Sequence, residues 1–596
     1  MQPEEYYKQR LKKLGIEQDL LLKRKSTLAW LRFSAIIGII ACVYFLLPYG
    51  WLYILAPVLL LLIVFTRLIF TDLRNKSAIE HNKRLIAINE NEIKALEHSY
   101  YQFLDGHEFT QKEHAYANDL DIFGHASLYQ YINRTSSEMG SNTLAGWLLQ
   151  PSAVSTISYR QAAAKELSAQ IEWTHELQAY GAVKKIQLVT LHRLQSWFDD
   201  PYRFINKKYW KILRYILPAI ILTVTALNIF NVVSDPLRNY FILAFALIAF
   251  SISKRVTPLQ QQVSKMTDEL EVLSDSIRLI EQAEFRAPFL QQLQMQFRQH
   301  DGNSSAKLKQ LKKILERLEL RYNILVFIPL DLFLQWDLQQ AMALEKWKEQ
   351  NYKNVMEWFN ALGSFEALTS LATLSFNNPH WCSPVFKECH FFMEGRNMGH
   401  PLIQKDKCVS NQVKIDSSGK LMLVTGSNMA GKSTYLRSVG INTILAMAGA
   451  TVCADYFCLS PVQIISSMRI TDNLEESTST FYAELKKLKT IIDNVNNNER
   501  VLILLDEILR GTNSLDRHTG SVALIKQLIK HNASGIIATH DVELARMKEN
   551  YPGNILNYHF DVQVNNDELY FDYKLKEGIC TSLNASILMK KIGIEL

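Results

Sequence analysis

Between Phe33 and Thr66 the chain has no Asp, Glu, Lys, Arg or His. A run of that length without charge excludes an ordinary solvated helix or linker. Cysteine is also scarce. The seven sit at irregular spacings, and the closest pair, Cys453 and Cys458, has no second pair nearby. That pattern excludes a disulfide framework and a zinc module, and it fits reduced thiols of a cytosolic environment. Glycine (23) and proline (15) are too few among 596 residues for a disordered or fibrous chain. Strong charge of one sign is missing as well: a net charge of +6 permits an anionic partner without requiring one. What is present is a globular composition, 48% hydrophobic and 21% charged, in a chain too long for a single core.

The uncharged run breaks only at Pro48-Tyr49-Gly50. A second apolar region starts at Tyr215, breaks at Ser234-Asp235-Pro236 and resumes from Asn239 to Ser253. Each half measures roughly 15–20 residues, close to the roughly 20 that cross a hydrocarbon core. Trp30, Arg32, Trp51 and Arg67 extend the first pair by interfacial anchoring and snorkelling. Both regions therefore read as transmembrane helical hairpins. Lys23, Arg24, Lys25 and Arg32 precede the first, and Arg67, Arg74 and Lys76 follow it. Lys207, Lys208, Lys211 and Arg214 precede the second, with Lys254 and Arg255 after it. By the positive-inside rule these ends are cytoplasmic. The expectation is a multi-pass protein of the cell (plasma) membrane with its soluble domains in the cytoplasm. A long charged segment ahead of the first apolar run argues against a cleavable signal peptide.

Six segments follow. Residues 1–105 hold a basic amphipathic helix (4–28), the first hairpin (about 30–70) and a continuing helix; residues 106–210 are mostly helical. Residues 211–255 are the second hairpin, and 256–390 are helical, with Leu308, Leu311, Leu315 and Leu318 as one apolar stripe beside Lys307, Lys309, Lys312, Lys313 and Arg317. That basic face suits either solvent or a phosphate backbone. Ile324 to Leu334, apolar but carrying Pro329 and Asp331, reads as buried core. Residues 391–560 alternate β-branched runs with helical stretches, the pattern of an α/β domain with a largely parallel sheet; 561–596 form a C-terminal segment.

The chemistry lies in that α/β domain. The strand Leu421–Thr425 runs into Gly426-Ser427-Asn428-Met429-Ala430-Gly431-Lys432-Ser433-Thr434 and then a helix, a P-loop in its strand–loop–helix setting. Its glycines let backbone N–H groups converge on phosphates, and the helix N-terminus adds the positive end of its dipole. Lys432 is expected on the β- and γ-phosphates of ATP, and Ser433 on Mg²⁺. A second strand, Val501–Leu505, ends in Asp506 and Glu507. Asp506 is expected to hold Mg²⁺ through its water shell, and Glu507 to orient or deprotonate the attacking water. A third strand, Gly535–Thr539, delivers His540, an imidazole suited to sensing the γ-phosphate.

Together these segments resemble the MutS family of ABC-type ATPases. Thr425 to Thr434 is similar to that family's P-loop, in which Asn and Met precede the second glycine. Asp472-Asn473-Leu474 through Ser477-Thr478-Ser479-Thr480-Phe481-Tyr482-Ala483-Glu484 resembles its Ser-Thr-Phe…Glu element, which implies that Ser479 acts in trans on the nucleotide of a homodimer partner. Asp506-Glu507 with Arg510-Gly511-Thr512-Asn513 and Asp516 resembles its extended Walker B and D-loop, and Ile579 to Leu596 its dimerisation helices. Upstream, Asn133-Arg134-Thr135, Gly140, Trp147 to Pro151 and Arg160-Gln161-Ala162 resemble the start of the family's core domain. Ala361 to Leu374 resembles the return of its lever helices, and Gly399-His400-Pro401 the approach to its ATPase domain.

The sequence departs from the family at several points. No Phe-x-Glu mismatch-reading motif precedes the core, membrane helices take that domain's place, and the second hairpin leaves little room for a full DNA clamp. Ser427 stands where Pro is usual, and Leu509 and Arg517 stand where Gly is usual. The fold class implied is an α/β ABC-type P-loop ATPase domain, an all-α core and lever region, and transmembrane helical hairpins. The function implied is a membrane-anchored dimeric ATPase using ATP and Mg²⁺, coupled to mismatched or branched DNA as in mismatch repair, with protein partners unknown. Two alternatives stand beside it: an ABC-type transporter, which lacks support because Ser479-Thr480-Phe481 replaces a Leu-Ser-Gly-Gly-Gln element, and an ATP-sensing scaffold that does not bind DNA.

Overall fold

A computed structural model describes residues 2–579 apart from 112, 264–265, 300–301, 428, 469–479, 498–499 and 566–567. Asn428, Ser479 and the C-terminal residues 580–596 thus lie outside the described residues. The chain divides into two compact units: residues 1–134, 144–179 and 369–596 in one, and 135–143 and 180–368 in the other.

The first unit opens with two long helices, α1 (Pro3–Leu46) and α2 (Trp51–Leu96), paired along their length and joined at Gly50, whose φ of +103° suits the sharp reversal. The basic amphipathic segment and the first apolar run are therefore one continuous helix. In the most apolar window of α1 only 6% of residues are buried, and in that of α2 none. Polar contacts gather instead at the far ends of the pair. The Tyr7 hydroxyl donates to Asn377 Oδ1 (2.7 Å), and Asn82 Nδ2 donates to Leu14 O (2.9 Å). Arg134, within the Asn133-Arg134-Thr135 motif, makes a buried two-point ion pair with Glu92 of α2.

The second unit contains a second apolar hairpin, α3 (Lys208–Ile229) and α4 (Asp235–Val263), then α5 (Thr267–Gln282), α6 (Ser304–Glu319), α7 (Ile324–Leu334) and α8 (Trp336–Asn351). All four hairpin helices are long and apolar enough to cross a membrane. The α6 stripe faces inward as its 3.6-residue spacing requires, with Leu308, Leu311, Leu315 and Leu318 buried and Lys309, Lys313 and Arg317 exposed. The reading of α7 is corrected. It is not buried core: among its residues only Asp331 is buried, and Ile324, Leu325 and Ile328 are more than half exposed.

Among the described residues the first unit closes with ten strands: β1 (Val385–Phe386), β2 (Met393–Met398), β3 (Asn411–Ile415), β4 (Leu421–Thr425), β5 (Tyr456–Leu459), β6 (Gln463–Ser467), β7 (Val501–Asp506), β8 (Ser534–Thr539), β9 (Ile555–Asn565) and β10 (Glu568–Glu577). The order β10-β9-β4-β8-β7-β6 forms a six-stranded sheet in which β4, β6, β7, β8 and β9 run parallel, and only β10 is antiparallel. Residues 561–565 and 568–577, counted with the C-terminal segment from sequence, extend this sheet within β9 and β10. Strands β4, β7 and β8 are buried at every position, as expected of central parallel strands covered on both faces. A smaller sheet, β1-β5-β2-β3, stands beside it. The helices α9 (Lys432–Ala448), α10 (Thr480–Asn496) and α11 (Ser514–Lys530) complete the domain.

Candidate functional site

Three neighbouring central strands, β4, β8 and β7, end side by side, and each delivers one part of the site. This is where open parallel sheets bind ligands, beyond the carboxyl ends of their strands. At the end of β4 the chain turns through Gly426, with φ of +149°; a Cβ there would stand 2.9 Å from Phe560 O. Met429 (φ +69°) is exposed and Ala430 is buried, and Gly431 (φ +102°) caps the start of α9. Ser427 borders the pocket, and Lys432, Ser433 and Thr434 occupy the first turn of α9.

Lys432 is nearly buried. Its Nζ donates to Gly426 O (2.8 Å) and Ser427 O (2.9 Å) and lies 3.3 Å from His540 Nδ1. The Ser433 hydroxyl donates to Asp506 Oδ2 at 2.5 Å. Glu507, just past β7, has φ of +56° and donates its N–H to Ala538 O of β8 (2.9 Å), which turns its side chain toward the loop. One carboxylate oxygen meets His540 Nε2, and the other meets Arg510 Nε at 2.9 Å. His540 Nδ1 faces Gly426 O at 3.0 Å, so each ring nitrogen faces an oxygen. The hydrogen bond from His540, supported by the charges of Arg510 and Lys432 and opposed by partial burial, holds the Glu507 carboxyl below its ordinary range. Glu507 is thus an ionised acceptor at neutral pH, the form a general base requires.

Lys432, Ser433, Asp506, Glu507 and His540 are thus brought together at the ends of the three strands. The roles of Asn428 and Ser479 fall outside the described residues. A cavity of about 490 Å³ adjoins the loop, walled by Met398, His400, Cys408, Asn411 and Tyr573 as well as by P-loop residues. These wall residues were missed as ligand contacts; Gly399-His400-Pro401 was legible only as a boundary. Asn442 of α9 holds that segment in place, donating to Gly399 O (2.8 Å) and accepting from Cys453 N (2.7 Å). Burial, then the nearby Arg437 charge, push the His400 imidazole down to about 4, so it presents a neutral ring to the cavity.

Glu484 is another residue whose role the sequence did not reveal. Its buried carboxylate accepts the N–H of Leu509 at 2.5 Å. Burial raises its carboxyl above the ordinary range, while hydrogen bonds from Leu509, Arg510 and Gly511 N–H groups oppose that shift. It therefore braces the loop that follows Glu507. Leu509 has φ of +60°, a left-handed conformation that accounts for the usual glycine there.

The donors suit a magnesium ion. Asp506 Oδ1 is buried without a hydrogen-bond partner, beside the hydroxyl of Ser433, and hard oxygen donors of this kind match Mg²⁺. Among the described residues no group of three or more His, Cys, Asp or Glu is arranged to hold a metal ion, and one carboxylate with a hydroxyl suits a Mg²⁺ ion that would keep water and take phosphate oxygens as its other ligands.

The profile of MutS domain V matches residues 422–590, which span the P-loop, β7 and β8. The chain is similar to the DNA mismatch repair protein MutS of Thermotoga petrophila, 24% identical over 505 residues, which cover 78% of this chain and 61% of that protein. It is 26% identical over 494 residues to the DNA mismatch repair protein MutS of Methanosarcina barkeri, covering 76% of this chain and 54% of that one. Against MutS protein homolog 4 of Homo sapiens it is 33% identical over 204 residues, 33% of this chain and 22% of that protein. This chain belongs to the MutS family. MutS proteins are in general ATPases that use ATP and Mg²⁺, act as dimers and bind DNA. The matches span between about a fifth and three fifths of those relatives' lengths.

Proposed function

We propose that this chain is a membrane-anchored MutS-family ATPase that hydrolyses ATP as a dimer and couples the cycle to DNA, mismatched or branched. The observation that carries the ATPase reading is the convergence of Lys432, Ser433, Asp506, Glu507 and His540 at the ends of three adjacent strands.

The P-loop N–H groups and the start of α9 bind the phosphates, and Lys432 exchanges its bonds to Gly426 O and Ser427 O for phosphate oxygens. Ser433 and Asp506 would hold Mg²⁺, which would neutralise phosphate charge. Glu507, released from His540, takes a proton from the attacking water as its oxygen bonds to the γ-phosphorus and the bond to the β-phosphate oxygen breaks. His540 sits between Glu507 and Lys432 and responds to the loss of the γ-phosphate. Ser479 completes the site from the partner subunit.

Four helices long and apolar enough to span, with apolar faces uncovered and basic flanks, support membrane anchoring. DNA coupling draws support from the relatives named for mismatch repair and from the exposed Lys309, Lys313 and Arg317 on α6. Turnover and nucleotide binding test the ATPase. Lys432→Ala should abolish binding, while Glu507→Gln should keep binding and lower turnover by about 10²–10⁴-fold. Equal turnover in Glu507→Gln and the parent protein would remove the assignment. For DNA, affinity for homoduplex and mismatched duplex should fall steeply with salt, and a flat response would exclude phosphate contacts.

A further inference from the structure

The second unit holds an apolar element that the four long helices do not account for. Helix α7 is 11 residues, about 16 Å at 1.5 Å per residue, roughly half of a hydrocarbon core of about 30 Å. Its face is far from covered. Leu325 is 87% exposed, Ile324 66% and Ile328 56%, although the helix carries only one charged residue. Scattered exposed leucines are ordinary, but a contiguous apolar face on an 11-residue helix is not.

The connections on either side of α7 return to one level of the α3–α4 hairpin. Before it, Arg321 donates to Ser253 Oγ (2.7 Å), Thr257 Oγ1 (2.8 Å) and Gln260 Oε1 (2.9 Å), all near the end of α4. After it, Gln339 of α8 donates to Arg214 O (2.7 Å), near the start of α3. These are the two basic-flanked ends of the hairpin, beside Lys211 and Arg214 and beside Lys254 and Arg255. The incoming and outgoing segments also meet each other: Arg321 pairs with Asp337 at 3.4 Å, and Trp336 Nε1 donates to Arg317 O at 2.9 Å. Between these ties, Leu332 and Phe333 of α7 pack on Leu217, Ile221 and Phe245, inside the apolar stretch of the hairpin. The only acid of the segment, Asp331, is turned inward and buried, accepting the N–H of Asp337 at 3.0 Å. Tyr322 and Trp336 mark the two ends, as aromatic residues do at a membrane interface.

We infer that α7 is a re-entrant half-span, which enters the bilayer from the cytoplasmic side beside α3 and α4, leaves on the same side, and presents Ile324, Leu325 and Ile328 to lipid acyl chains. The inference rests on reading α3 and α4 as membrane-spanning. Lipid is the occupant because α7 packs through Leu332 and Phe333 on the apolar stretch of those helices, and its apolar run is bounded in sequence by Arg321-Tyr322 on one side and Trp336 on the other. An acid in such a segment is tolerated when it faces protein, as Asp331 does.

The test uses the full-length protein in proteoliposomes. Bimane is attached at Leu325→Cys (α7), Leu222→Cys (α3) or Lys309→Cys (α6), and the signal is taken as the increment over the parent with its native cysteines. Emission is compared with and without brominated phospholipids. The inference expects the labels at 325 and 222 to be quenched by brominated acyl chains, and the label at 309 to be unaffected. Quenching at 222 but not at 325 would overturn the half-span while leaving the hairpin reading intact. Quenching at neither would remove the hairpin reading and this inference with it. A label at 325 shielded from an aqueous quencher yet untouched by the lipid quencher would mean that protein, such as a second copy of the chain, covers α7, and would also overturn the inference. Because Leu325 is so exposed, its replacement leaves the packing of the unit intact.

Discussion

Strand β4 and the middle of helix α2 are about equally apolar and have opposite surroundings. Every residue of Leu421–Thr425 is buried, whereas in the most apolar window of α2 none is. A five-residue run bounded by a glycine loop can be walled in by neighbouring strands on two sides and helices on both faces. A longer run paired only with another apolar helix cannot, and it leaves most of its surface uncovered. Apolarity alone does not distinguish the two; run length and what lies beside it do.

The comparison breaks or sharpens with matched substitutions. Leu423→Ala in β4 should destabilise the first unit by about 2–5 kcal/mol, measured as the unfolding midpoint of the detergent-solubilised protein, because it opens a cavity that surrounding strands cannot close. Leu60→Arg in α2 should carry a penalty of about 2.5–3.5 kcal/mol that appears only in the bilayer. It would be seen as loss of the protein from carbonate-washed membranes, and unchanged retention would contradict the contrast. Asn513→Ala should cost about 0.5–2 kcal/mol of stability, because the Asn513 side chain accepts the N–H of Asp516 (2.9 Å) at the start of α11. Leu60→Ala, at a side chain 63% exposed, should change the same unfolding midpoint by no more than about 0.5 kcal/mol. If Leu60→Ala and Leu423→Ala cost the same, the two stretches are buried alike and the contrast fails.

Much of the site was legible because the P-loop and the strand-end acids are short, local signals. Lys432, Ser433, Asp506 and Glu507 were assigned from spacing within two strand–loop segments, and His540 from a third. The cavity wall was not legible, since Met398, His400, Cys408 and Tyr573 come from segments brought together only by the smaller sheet and the antiparallel β10. The brace from Glu484 to Leu509 N–H is not legible in the sequence because a long-range hydrogen bond leaves no periodic trace. In the fold, the parallel sheet and the four apolar helices followed from run length and β-branched alternation. Helix α7 did not: its composition is that of a core helix, and only the exposure of Ile324, Leu325 and Ile328 in the folded unit sets it apart from one.

The central claim is that one ATP pocket is built from two copies of the chain. Lys432→Ala and Ser479→Ala can be co-expressed with different tags and the mixed assembly isolated by sequential affinity steps. In that assembly both defects fall in one of the two sites, and the other keeps an intact P-loop with an intact partner serine. The account predicts that each variant alone is inactive while the mixed assembly regains ATP turnover. A mixed assembly as inactive as its parents, with ATP still bound by the Ser479→Ala chain, would contradict it.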